Sequence, residues 1–173
     1  MHWGVEYQTT ENAEQDRLAK FLIENDVDII LGSHPHVLQP MKMLEVETEE
    51  GEMKEGLVIF SQGNFFSNQR DVNTRNTAIF NIEVKKDGQT GDVRIEKATY
   101  VPLYMYIKEP GAENRYQLLD LNEIIRSYES GEDIWSEAMY QLALKEKERC
   151  VRLIGPEITH KEEGSIMERL LKK

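Results

Sequence analysis

A chain of 173 residues is of single-domain size, and 39% hydrophobic with 31% charged residues is the composition of a folded protein rather than a disordered one. Its formal net charge of -11 excludes a general nucleic-acid binder and a ligand of anionic membrane surfaces, because phosphate groups would repel it. Cys150 is the single cysteine, which excludes an internal disulfide.

The chain begins at Met1-His2-Trp3-Gly4-Val5-Glu6-Tyr7 without a polar lead-in, which reads as the interior of a longer protein just after a strand. Thr9 to Asn12 supply helix-start chemistry. Leu18, Ala19, Leu22 and Ile23 then predict the buried face of a helix from about Glu11 to Glu24. Asn25 and Asp26 end it. Val27 to Leu31 predicts a short strand buried on both faces, so the pair is the α-β half of a βαβ unit.

The strand runs into Gly32-Ser33-His34-Pro35-His36-Val37. Pro35 pushes His34 out of the helical region, and in an extended backbone residues i and i+2 share a side. Two imidazoles converging at a strand end are candidate metal ligands; the plainer alternative is a pair of polar turn residues. His2 also stands at a probable strand end. If its strand and Val27–Leu31 are parallel neighbours, as the intervening helix implies, three rings gather at one rim of the sheet. Imidazoles alone bring no negative charge, and a two-metal centre needs carboxylates and a bridging ligand. Glu6 is nearby, and no bridging aspartate is evident.

Val37 to Val46 reads as extended with a break at Pro40, and residues 47–55 as a solvated acidic hairpin tip. Gly56 to Ser61 is a second apolar extended run. It ends at Ser61-Gln62-Gly63-Asn64-Phe65, where Gly63 permits a positive φ and Asn64 offers an amide. Residues 67–76 read as a polar, mobile loop. Thr77 to Lys85 alternates, with Ile79, Asn81 and Glu83 opposite Phe80, Ile82 and Val84. Asp92 to Tyr106 is its antiparallel partner. Helices are expected over Gln117–Tyr128, over Asp133–Ile154, where Ile134, Ala138, Leu142 and Leu144 stand among charges, and over Glu162–Leu171. Cys150 reads as packing within the second of these. His160, among charges, reads as a surface residue, and Trp3 and Tyr7 as core rather than pocket walls. Paired glycosidase carboxylates, a Gly-x-Ser-x-Gly elbow and a phosphate-binding glycine loop are all missing, and nothing marks Ser33 as an activated nucleophile.

Three motifs in order, His2-Trp3-Gly4-x-Glu6-Tyr7, Gly32-Ser33-His34-Pro35-His36-Val37-x-Gln39-Pro40 and Phe60-Ser61-x-Gly63-Asn64-Phe65, resemble the C-terminal part of the bacterial capsule-synthesis CapA (PGA-cap) family. The resemblance covers roughly the first hundred residues. It implies a calcineurin-like metallophosphoesterase fold: a partial α/β/β/α sandwich with mixed sheets in residues 1–106, and a helical extension in 107–173. It implies His2, His34 and His36 as ligands of a divalent transition metal (Mn, Fe or Zn), and Glu6 and Asn64 as substrate-binding residues. Gln62 stands where the family more often has an apolar residue. The family's earlier motifs, two aspartates and an Asn-His pair, have no counterpart in these residues, so the metal site is expected to be incomplete. A missing N-terminal half or a second copy is then the expected partner. Capsule or poly-γ-glutamate biosynthesis, outward-facing at the cell envelope, is the implied role. The alternative is a non-catalytic oligomeric assembly component.

Overall fold

Asn12 opens the first helix. Its side chain accepts the Gln15 backbone N–H at 2.9 Å while the Gln15 side chain accepts the Asn12 N–H at 3.1 Å, a reciprocal cap that starts α1 (Ala13–Glu24). The computed structural model describes residues 1–91 and 93–159; His160 and the helix expected over 162–171 lie outside the described residues, as does Asp92. Ala19 and Ile23 of α1 are buried and Leu18 and Leu22 half-buried, as the apolar stripe predicts.

The first sheet contains β1 (Ile29–Leu31), β2 (Met41–Glu47) and β3 (Met53–Ile59) in the order β1-β3-β2. β1 runs parallel to β3, and β2 and β3 form the expected hairpin with its acidic tip. Residues 1–3 lie along the other edge of β1. His2 bridges Ser33 in parallel, with Ser33 N–H donating to Met1 O at 2.8 Å and Trp3 N–H to Ser33 O at 3.2 Å. His2 and the His34 turn therefore leave neighbouring parallel segments joined through α1. Burial of the strand on both faces does not hold: Ile30 packs under α1, but Leu31 on the opposite face is 44% exposed.

The second sheet is antiparallel, with β4 (Asn76–Lys86), β5 (Val93–Ile107) and β6 (Tyr116–Asp120) in the order β4-β5-β6, and β7 (Ile158–Thr159) pairs with β5. The alternation in β4 holds for Phe80 and Ile82, half-buried, against Ile79, Asn81 and Glu83, exposed; Val84, read with the first set, is 49% exposed. The β4–β5 ladder shifts register between Glu83 and Val84. Between the sheets, the polar loop folds a short 3-10 helix, Val72–Arg75, whose Thr74 is buried.

The helices of the C-terminal third differ from expectation at their starts. Residues 116–120 are strand, because they pair in register with Leu103–Ile107. α2 (Leu121–Glu129) begins only where the Asp120 carboxylate accepts the N–H groups of Asn122 and Glu123. α3 (Glu137–Ile154) is capped by Ser136, so Ile134 lies outside it and is 68% exposed. Its buried residues are Ala143, Glu146, Cys150 and Ile154; Leu142 is half-buried against the same core, and Ala138 and Leu144 are exposed.

Strand β3 divides the core. Val58, and Phe60 just beyond its end, pack with Trp3, Ile30 and α1, while Leu57 and Ile59 join Leu38 and Met41 in a second cluster with Ala78, Tyr100, Tyr104 and helices α2 and α3. Among the described residues the architecture is mixed α/β, with two sheets and three α-helices, a partial α/β sandwich.

Candidate metal centre

Gly32 continues the β1 ladder, its N–H donating to Ile59 O at 2.7 Å and its O accepting from Gln62 N–H at 3.1 Å. The backbone then turns sharply. His34 has φ 98° and His36 φ 60° on either side of a buried Pro35. The rings converge through left-handed backbone, not through the alternation of an extended strand. Such conformations cost on the order of 1–3 kcal/mol each in residues with a Cβ and persist only where the surroundings hold them.

The facing wall is the loop after residues 1–3. Tyr7, with φ 65°, donates its N–H to Pro35 O at 2.8 Å, which ties this loop to the histidine turn. Glu6, His34 and His36 thereby bring three ligand atoms within 4.8 Å of one another. His2 is not in this compact set; its ring centroid lies 4.3 Å from that of His34, and the His34 and His36 centroids are 6.1 Å apart. Trp3 is core, 6% exposed, whereas Tyr7 is 50% exposed and stacks on His36 at 6.0 Å. Ser33 is exposed, its hydroxyl donating to Met1 O at 3.3 Å.

Asn64 fixes the tautomer of His36. The Asn64 amide nitrogen donates to Gln69 Oε1 at 2.7 Å and to Thr74 O at 3.3 Å, and a backbone carbonyl can only accept. Asn64 Oδ1 therefore faces His36 Nδ1, 2.9 Å away, and Nδ1 carries the proton. In the neutral ring Nε2 then keeps its lone pair, 3.6 Å from Glu6 Oε1. A cation between them, or a second proton on the ring, would stabilise two electron-rich atoms at that separation. Two ligands about 2.1 Å from a tetrahedral ion stand roughly 3.4 Å apart, so the Glu6–His36 pair has the spacing of two metal ligands, with His34 within 4.8 Å of both. Gly63, φ 70°, makes the predicted turn beside Asn64 and bridges Thr77 of β4.

Two residues of this region carried no assigned role in the sequence. Gln15 and Gln39 are 1% and 0% exposed and hydrogen-bond to each other at 2.8 Å beneath the Glu6 loop. Asn12-x-x-Gln15 has the spacing of a capping box and was the available signal for Gln15; nothing local marks a glutamine for burial. Cys150 is buried packing, as read, and desolvation pushes its thiol pKa up to about 12.

Residues 1–69 match the family model of the bacterial capsule synthesis protein PGA_cap. The "PGA biosynthesis protein CapA" of Bacillus subtilis is 36% identical over 107 residues, 59% of this chain and 26% of that protein. The "Capsule biosynthesis protein CapA" of Bacillus anthracis is 33% identical over 87 residues, 50% of this chain and 19% of that protein. The chain thus spans about a quarter or less of the length of these relatives. No solved structure matches it. The segment that resembles the bacterial capsule synthesis protein PGA_cap contains His2, Glu6, His34, His36 and Asn64, so the whole candidate site lies within it.

Proposed function

We propose that this chain takes part in capsule or poly-γ-glutamate biosynthesis and that Glu6, His34 and His36, with His2 beside them, hold a divalent transition metal (Mn, Fe or Zn) for phosphoester-hydrolase-like chemistry. The observation that carries the reading is the His36 Nε2 lone pair opposite Glu6 Oε1, with the other ring nitrogen tied to Asn64. Imidazole and carboxylate together suit such ions. In this reading Glu6 is a ligand rather than a substrate contact, and Asn64 orients His36 from behind. When bound, the ion supplies Lewis-acid polarisation of a phosphoryl oxygen. The chain's own part is to fix three ligand atoms at one sheet rim and to hold the His36 proton on Nδ1. Residues 1–106 carry the site and residues 107–173 are its extension. The relatives' capsule role supports an outward-facing, envelope-associated location; among the described residues no helix is long and apolar enough to cross a membrane.

The single carboxylate in the donor set favours a second reading, a non-catalytic oligomeric assembly component, because a two-metal centre needs a bridging carboxylate. Metal analysis and solution mass of the purified chain separate the two. The metal reading expects stoichiometric transition metal in the wild type, lost in His34→Ala/His36→Ala. Equal metal content in both proteins would sink it. A self-associated chain without metal would favour assembly.

A further inference from the structure

The Glu6 loop is pinned from below by side chains remote from any ligand atom. Gln39 donates both amide hydrogens to the loop backbone, to Gln8 O at 2.9 Å and Thr10 O at 3.0 Å. Its Oε1 accepts from Gln15 Nε2 at 2.8 Å, and Gln15 Oε1 accepts from Asn12 N–H at 3.1 Å. Gln15 also fills the space against Gly4, where a Cβ would stand 2.8 Å from the amide carbon and oxygen. Every polar amide atom of the pair is thereby hydrogen-bonded, in two residues that are at most 1% exposed. Gln39 lies three residues beyond His36 on the same chain segment. The pair therefore links the Glu6 loop, the start of α1 and the histidine turn in one rigid unit.

We infer that the buried Gln15–Gln39 amide pair is the positioning device that sets the Glu6 carboxylate against His36. Gln39 carries the larger share, since its two donations reach the loop directly, and Gln15 orients Gln39. Neither touches an ion; both act through Glu6. The consequence for metal affinity rests on the metal reading above, whereas the consequence for the loop does not.

The test uses the full 173-residue chain in two arms. In the metal-free protein, amide hydrogen exchange is followed at Tyr7, whose N–H bonds Pro35 O, and at Leu57 in the core strand. Gln39→Met, of similar length but without an amide, is expected to speed exchange at Tyr7 by roughly tenfold or more and to leave Leu57 unchanged. Gln15→Met, which keeps both Gln39 donations, is expected to have the smaller effect, and it serves if Gln39→Met also loosens Leu57. Unchanged Tyr7 exchange, or a larger effect from Gln15 than from Gln39, overturns the inference. In the second arm Co(II) is titrated and its visible spectrum recorded. Gln39→Met is expected to weaken cobalt binding by roughly 10–100-fold and to give the spectrum of Glu6→Gln, with Glu6→Gln/Gln39→Met no weaker than Glu6→Gln alone. Fully additive losses overturn the inference. If wild type and His36→Ala take up cobalt alike, the metal reading fails and Tyr7 exchange alone decides for or against the positioning role.

Discussion

Gln15 and Gln39, under the site loop, are as deeply buried as Glu146 and Asn76 where α3 meets β4. The first pair is neutral and meets its hydrogen-bonding needs from backbone within a few ångströms. The second region is charged and badly met. Glu146 Oε2 stands 3.6 Å from Arg149 Nε, and Glu146 Oε2, Arg149 Nη1 and Asn76 Oδ1 have no hydrogen-bond partner among the described residues. A satisfied buried amide fixes geometry at little cost, whereas a loosely paired buried charge pays desolvation without full return. Stability and site geometry should accordingly respond to different halves of the molecule.

The sharpest way to break this contrast is Glu146→Ala, which leaves a largely buried guanidinium without its counter-charge. Urea unfolding should show a loss of about 3–5 kcal/mol, while Glu146→Met/Arg149→Met together should be near neutral or stabilising. A double variant as unstable as the single one would show that the pair matters by more than its charge.

Next in size is the pH response of the same region. Burial raises the Cys150 thiol from 9.0 to about 12, so above pH 9 the unfolded chain releases a proton that the folded chain keeps. Stability then falls as pH rises between those two values, by about 1.4 kcal/mol at pH 10. Tyr100 and Tyr104, also raised by burial, add a slope of the same sign at higher pH. Denaturation midpoints of wild type and Cys150→Ala against pH should converge as pH rises from 9 to 12; parallel curves would refute the assignment. The smallest effect is expected on the satisfied side. Asn12→Ala removes the helix cap, but not the Gln39 donations, and should cost about 1 kcal/mol with little change in metal uptake.

The histidine turn was legible because an apolar strand ending at Gly32 and two rings about Pro35 are local signals. The parallel placement of His2 followed from α1 lying between the two segments. What was illegible depends on partners distant in sequence. Residues 116–120 look helical until β5 is beside them, and only Asp120 marks where the helix begins. Hydrophobicity likewise gives no sign of Glu146, which the fold nonetheless buries in α3. The left-handed backbone at His34 and His36 is set by contacts such as Tyr7 N–H to Pro35 O, which no spacing rule contains. Asn64 showed as an amide at a turn, but its work on the His36 tautomer required Thr74, on the far side of the loop.

Gly32 has one more effect. A Cβ there would fall on the Phe60 carbonyl and the Trp3 indole nitrogen, which are themselves hydrogen-bonded at 2.8 Å. The indole of Trp3 thus crosses above a bare backbone to clasp β3, stapling the segment that bears His2 onto the sheet. Because that staple is a tryptophan, detachment of the histidine-bearing edge would wet an otherwise dry chromophore, and the protein carries its own fluorescent gauge of whether the rim is assembled.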